Sequence, residues 1–151
     1  MDTEELLRLL KEHRVVFVVI GASAFPVYGY ARATLDIDLF IKPDLKNIMR
    51  TMKALDRFGY DLAGLTAVDF LKNKILIRQY AVEADFHPFV KGISFEAIWK
   101  NRIKAKFGQT KVNFPSLKDM IRMKKAAGRA KDREDLKYLI KIRQKSKAPD
   151  N

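Results

Sequence analysis

The chain has 151 residues, 48% of them hydrophobic, and its 30 Lys and Arg against 18 Asp and Glu give a formal net charge of +12. That length fits one domain, or one domain with a helical extension, and allows a core without staples. With no cysteine there is no disulfide, thiolate metal site or Cys nucleophile; two histidines argue against an imidazole-based zinc site; and the longest apolar stretch, residues 15–28, is interrupted by Gly21 and Pro26 and is too short to span a bilayer.

In chain order, Asp2-Thr3-Glu4-Glu5 fits an N-cap with a capping box, and Leu6, Leu9 and Leu10 follow at helical spacing to about His13. This acidic opening differs from the basic start of a signal peptide, so the expected location is the cytoplasm, with no membrane contact. Val15 to Ile20 is a continuous apolar run, the pattern of a strand buried on both faces. A short helix is expected from Ala22 to about Tyr28 and a second strand from Leu35 to Ile41. Pro43-Asp44 starts a helix carrying Ile48, Met52, Leu55 and Phe58, stopped by Gly59. Thr66 to Asn73 reads as a short helix, and Lys74 to Tyr80 and Ala81 to Phe86 as two strands in a hairpin without an Asn-Gly turn.

Beyond Pro88 the pattern becomes mainly helical. Ser94 to Asn101 is a short helix, Ile103 to Phe107 and Lys111 to Phe114 form a small hairpin, and helices follow from Pro115-Ser116 to Gly128 and from Lys131 to Gln144. The expected organisation is a core over 1–90, a basic and mainly helical part over 91–144 that completes the site, and a flexible tail over 145–151. Residues 1–99 hold 13 basic and 13 acidic residues, whereas residues 100–151 hold 17 basic and 5 acidic. The whole excess therefore lies in the last third. Such asymmetry suits a polyanion, although a Lys-rich solvated helical surface has the same composition.

The most informative stretch is residues 20–39. Asp36 and Asp38 share one face of an expected strand, while Ile37 and Leu39 point to a core. Adjacent like charges repel, and a divalent cation held by carboxylate oxygens accounts for keeping them together; hard oxygen ligands favour Mg²⁺, or Mn²⁺ in its place. Upstream, Gly21-Ala22-Ser23 joins a strand to a helix, where free backbone N–H groups can hold phosphate. Metal beside phosphate is the apparatus of phosphoryl or nucleotidyl transfer. Thr34 has the parity of the Asp pair, and Arg32 has two roles open to it, a phosphate contact or an ion pair that fixes the loop. Downstream, Glu83 and Asp85 alternate with Ala84 and Phe86, so either can supply a third carboxylate. Glu83 reads as a surface residue and His87 as a hydrogen-bonded strand-end residue.

These residues resemble the signature of the DNA polymerase beta-like nucleotidyltransferases: a strand, Gly-Gly-Ser or a variant opening a helix, Asp-x-Asp on the next strand, and a third Asp later. The wording Gly-x-x-Ala with Arg-x-Thr-x-Asp-Ile-Asp most resembles the AbiEii-like group, which includes toxins of toxin–antitoxin pairs. The resemblance runs from about Val15 to about Ile140. It implies a nucleotidyltransferase fold, α/β (α+β), with a small mixed sheet flanked by helices and a C-terminal helical extension. It implies that Asp36, Asp38 and Asp85 hold metal and carry catalysis, Asp85 taking the proton of the attacking hydroxyl. Gly21, Ala22 and Ser23 would hold the triphosphate of an NTP, with Ala22 departing from the commoner Gly.

Residues 118–136 resemble the C-terminal motif of the same group: an Asp, an apolar pair and a Lys on a helix, then Arg-x-Lys-Asp-x-x-Asp-Leu. By that resemblance Lys124 touches the triphosphate, and Asp132 and Asp135 orient Lys124 or cap the last helix. The expected activity is Mg²⁺-dependent transfer of NMP from an NTP to an acceptor hydroxyl, with release of pyrophosphate. RNA, tRNA in particular, is the favoured acceptor, with protein or a small molecule as alternatives. A toxin role with a cognate antitoxin is compatible. Two other readings stay open: a catalytically inactive nucleotide- or RNA-binding module, and an antitoxin-type regulatory partner of the same fold.

Overall fold

The computed structural model describes residues 2–31 and 34–147. Four strands, β1 (Phe17–Ile20), β2 (Asp36–Ile41), β3 (Ile75–Ile77) and β4 (Glu83–His87), form a mixed sheet in the order β1-β2-β4-β3. β2 and β4 run parallel at its centre, with β1 antiparallel to β2 and β3 antiparallel to β4. Helices α1 (Thr3–Glu12), α2 (Leu45–Phe58), α3 (Ala67–Lys72) and α4 (Phe95–Lys100) surround this sheet. A hairpin of β5 (Ile103–Phe107) and β6 (Thr110–Phe114) leads into α5 (Leu117–Ala127) and α6 (Ala130–Lys147). The fold is thus the expected α/β one, a small mixed sheet flanked by helices with a helical C-terminus. No described helix is long and apolar enough to cross a membrane.

The period-2 pattern of the strands sorts the sheet into two faces. Phe17, Val19, Ile37, Leu39, Ile41, Ala84 and Phe86 enter the main core with Leu6 and Leu10 of α1 and Ile48 and Leu55 of α2. The other face is apolar at one end only, where Val18, Ile20 and Phe40 pack under Ile93, Phe95 and Ile98. Phe95 meets Phe40 edge-on at 5.1 Å between ring centroids. Asp36 and Asp38 share the parity of Phe40, so the carboxylates occupy the uncovered end of that face. The helix starts follow the sequence signals: Asp2, Asp44, Thr66, Ser94 and Ser116 each accept a backbone N–H of the first turn.

Three boundaries differ from the sequence reading for physical reasons. Residues Gly21–Tyr28 form a 3₁₀ helix, tightened by a left-handed Gly21 and by Pro26, which lacks a donor. β3 stops at Ile77 and β4 starts at Glu83, because Arg78 turns away to meet acidic side chains and Tyr80 adopts φ 59° in the connection. α6 continues past Gln144 to Lys147, through the first part of the expected tail, while residues 148–151 lie outside the described residues.

Candidate active site

Parallel pairing of β2 and β4 sets the acidic group. The register places Asp36 opposite Glu83, Asp38 opposite Asp85 and Phe40 opposite His87. Parallel neighbours in register share a pleat, so Asp38 and Asp85 meet on one face. The Asp85 side chain is almost wholly buried, and those of Asp38 and His87 are mostly so. One ligand atom each of Asp38, Asp85 and His87 fall within 4.8 Å of one another. Asp36 is outside this cluster. His87 Nε2 also lies 2.8 Å from Asp38 Oδ1. His87, read from sequence as a strand-end residue, therefore sits inside the acidic group.

Arg78, which no sequence motif singled out, binds this group together. Its Nη1 donates to Asp85 Oδ1 at 2.5 Å, its Nη2 to Asp36 Oδ2 at 3.3 Å, and its Nε lies 3.6 Å from Glu83 Oε2. The hydrogen bond to Asp85 and the charges of Asp85, Asp36 and Glu83 raise its already high pKa, against a smaller lowering by burial. Glu83 thus contributes as an Arg78 partner, not as a member of the convergent cluster.

The glycine turn lies against the same carboxylates. Gly21 has φ 70°, and a Cβ there would come 2.7 Å from Asp38 Oδ2, so both conformation and space demand glycine. Gly21, Ala22 and Phe25 line the cleft in front of the Asp pair, whereas Ser23 is half-buried and does not. Thr34 lines it too, its hydroxyl donating to the backbone oxygen of Asp36 at 2.9 Å. Arg32 lies outside the described residues.

The opposite wall comes from the C-terminal part. Lys124 of α5 lies 3.1 Å from Asp132 Oδ1 and 3.2 Å from Asp135 Oδ2, both carboxylates fully buried, and 5.2 Å from the Phe25 ring centre. Burial alone would raise the Asp132 pKa, but hydrogen bonds from Arg129 and Lys124 and the Lys124 charge bring it down to about 2. Asp135 also accepts from the Tyr30 hydroxyl, and Tyr28 donates to the Pro115 carbonyl, so the segment after Gly21 is tied to α6 and to the connection that leads into α5. An ammonium has three donors; with two turned to Asp132 and Asp135, one remains for the cleft that Lys124 lines.

Between these walls is a cleft of about 640 Å³. Its rim carries Lys74, Lys91, Arg129 and Lys131, and exposed Leu35 and Phe89 give it an apolar edge. Arg129 and Lys131 belong to the C-terminal motif read from the sequence, without a role assigned to either; Lys74, Lys91, Leu35 and Phe89 were not legible as site residues, because scattered lysines and single apolar residues have no diagnostic spacing. The donor set fits a divalent ion: two carboxylates from adjacent strands converge with an imidazole, hard oxygens predominate, and a third carboxylate, Asp36, lies on the same face.

Residues 1–144 match the family described as a nucleotidyltransferase of unknown function (DUF6036). No curated protein matches the chain. The match covers nearly all of the sequence, and the chain belongs to this nucleotidyltransferase family.

Proposed function

We propose that the protein is a divalent-metal-dependent nucleotidyltransferase that moves NMP from an NTP to an acceptor hydroxyl and releases pyrophosphate. The observation that carries this reading is the convergence of Asp38, Asp85 and His87 in one cleft with the Gly21–Ala22 turn and Lys124. Asp38 and Asp85, with Asp36, would hold Mg²⁺ or Mn²⁺, which in such sites polarises phosphoryl oxygens and neutralises developing charge. The protein's own side chains do the rest. The backbone of Gly21 and Ala22 and the free Lys124 donor orient the triphosphate, Lys74 and Lys91 add positive potential at the rim, and Phe89 offers the base an apolar face. Asp85 would accept the proton of the attacking hydroxyl, as the resemblance to DNA polymerase beta-like nucleotidyltransferases implies.

RNA is the acceptor that the charge distribution supports best. Lys104 and Lys106 on β5 and Lys111 on β6 lie on one face of the hairpin, with Lys106 directly opposite Lys111. Like charges placed opposite each other are unfavourable unless an anion meets them. A toxin role with a cognate antitoxin, and tRNA as the particular RNA, rest on the resemblance to AbiEii-like proteins. One incubation series tests the function: each α-labelled NTP with Mg²⁺, total RNA and cell extract. Label in RNA supports the full reading; label in protein or a metabolite moves the acceptor; no label with any NTP overturns transfer.

A further inference from the structure

Arg78 meets three carboxylates with one guanidinium, and two of them, Asp36 and Asp85, are those expected to hold the metal. Among the described residues, Arg78 is the cation that pairs with the buried Asp85 carboxylate and balances its charge. Asp36 is drawn to Arg78 on one side and to the Thr34 hydroxyl, 3.4 Å away, on the other. That position keeps it out of the convergent group of Asp38, Asp85 and His87. Asp36, Glu83 and Asp85 thus share one guanidinium, and Asp38, paired in register with Asp85, adds a further carboxylate, leaving an acidic surplus that still attracts a cation. Arg78 is 41% exposed at the end of edge strand β3, so its side chain can leave the carboxylates without opening the core.

We propose that Arg78 is a built-in counter-cation at this site, which a divalent metal ion must displace from Asp36 and Asp85 in order to bind. The fork geometry explains why an arginine serves: its planar donors span two carboxylates on neighbouring strands, which a lysine's point charge cannot do. Arg78 holds the acidic group together before the metal arrives, and its grip weakens metal binding. This inference rests on the proposal above that a metal works at these carboxylates.

The test is binding of Mn²⁺ alone to the full chain, without nucleotide, followed by the loss of the free-Mn²⁺ electron paramagnetic resonance signal. Arg78→Gln should bind Mn²⁺ about tenfold tighter or more, the gain expected when a charge-assisted hydrogen bond no longer has to be broken. Arg78→Lys keeps the charge and loses the fork, so it should also bind tighter than the wild type; it carries the test if Arg78→Gln unfolds. Arg78→Lys binding like the wild type would reduce Arg78 to a plain charge and overturn the proposal. Weaker binding in both variants, or none in any form, would overturn it as well. The outcome is separable from the proposed activity. Tighter metal binding in the variants with no transfer by the wild type would sink the transfer reading alone. Transfer by the wild type with unchanged metal binding in the variants would sink the counter-cation alone.

Discussion

Asp38 Oδ2 lies 2.7 Å from where a Cβ on Gly21 would stand. The backbone at Gly21 and the Asp38 carboxylate are therefore packed so closely that a side chain at Gly21 would have to move Asp38. Gly21→Ala adds a methyl group to that space and a side chain at φ 70°. It should cost about 1–3 kcal/mol of stability through backbone strain and displace Asp38. Denaturant unfolding measures the first effect and Mn²⁺ affinity the second; a variant as stable as the wild type with unchanged metal affinity would refute the coupling.

Asp36→Ala and Asp38→Ala should each abolish transfer while leaving the fold intact, since both remove a negative charge from a crowded acidic group. Asp38→Ala should also lose Mn²⁺ binding, because Asp38 belongs to the convergent cluster. Circular dichroism checks the fold and a pyrophosphate-release assay the activity. Full activity in either variant contradicts the assigned roles.

The ion pairs of Lys124 and its proposed phosphate contact are separated poorly by a single substitution and well by a pair. Lys124→Ala leaves Asp132 and Asp135 buried without their shared cation, and breaking such an arrangement costs about 3–5 kcal/mol. Lys124→Arg keeps the charge and should keep most of the stability, while changing the donor offered to the cleft. Nucleotide titration of both variants, alongside thermal melting, distinguishes a phosphate contact from a purely structural lysine: the phosphate role predicts weakened nucleotide binding in Lys124→Arg as well.

Asp132 gives a pH prediction. Its folded pKa of about 2 lies below the ordinary value of 3.8, because Arg129 and Lys124 overcome the effect of burial. A depressed carboxylate contributes stability above its unfolded pKa, and that contribution is lost as pH falls through the folded value. The contribution from Asp132 is about 2 kcal/mol, fully present above pH 4 and lost toward pH 2. Asp132→Asn should flatten the stability curve across that window, as read from urea midpoints at a series of pH values.

RNA binding, if it supplies the acceptor, should weaken steeply between about 50 and 200 mM salt. Charge reversal at Lys104, Lys106 and Lys111 together should flatten that dependence and leave NTP binding unchanged, because none of the three lines the Lys124 cleft. Labelling that ignores salt would remove RNA from the proposal.

Much of this site was legible before the fold. The Asp-x-Asp alternation placed Asp36 and Asp38 on one face, and Asp85 came to Asp38 through parallel pairing, a relationship that spacing along the chain suggests but cannot fix. Lys124 and the Asp132 and Asp135 carboxylates were legible by resemblance, and the helix pair α5 and α6 brings them together. Ser23 stands away from the cleft because the segment winds as a 3₁₀ helix. Arg78 was illegible for a different reason. A lone arginine between two strands gains meaning only when the strands pair and place three carboxylates within its reach.

Paired labelling tests nucleotidyl transfer in the cleft between Asp38 and Lys124. Wild-type protein and Asp38→Asn are incubated with Mg²⁺, RNA and the same NTP carrying label at either the α- or the γ-phosphate. The wild type should move α-label onto the acceptor and leave γ-label in pyrophosphate, and Asp38→Asn should do neither. Transfer of γ-label to the acceptor, or wild-type α-labelling by Asp38→Asn, would contradict nucleotidyl transfer at this site.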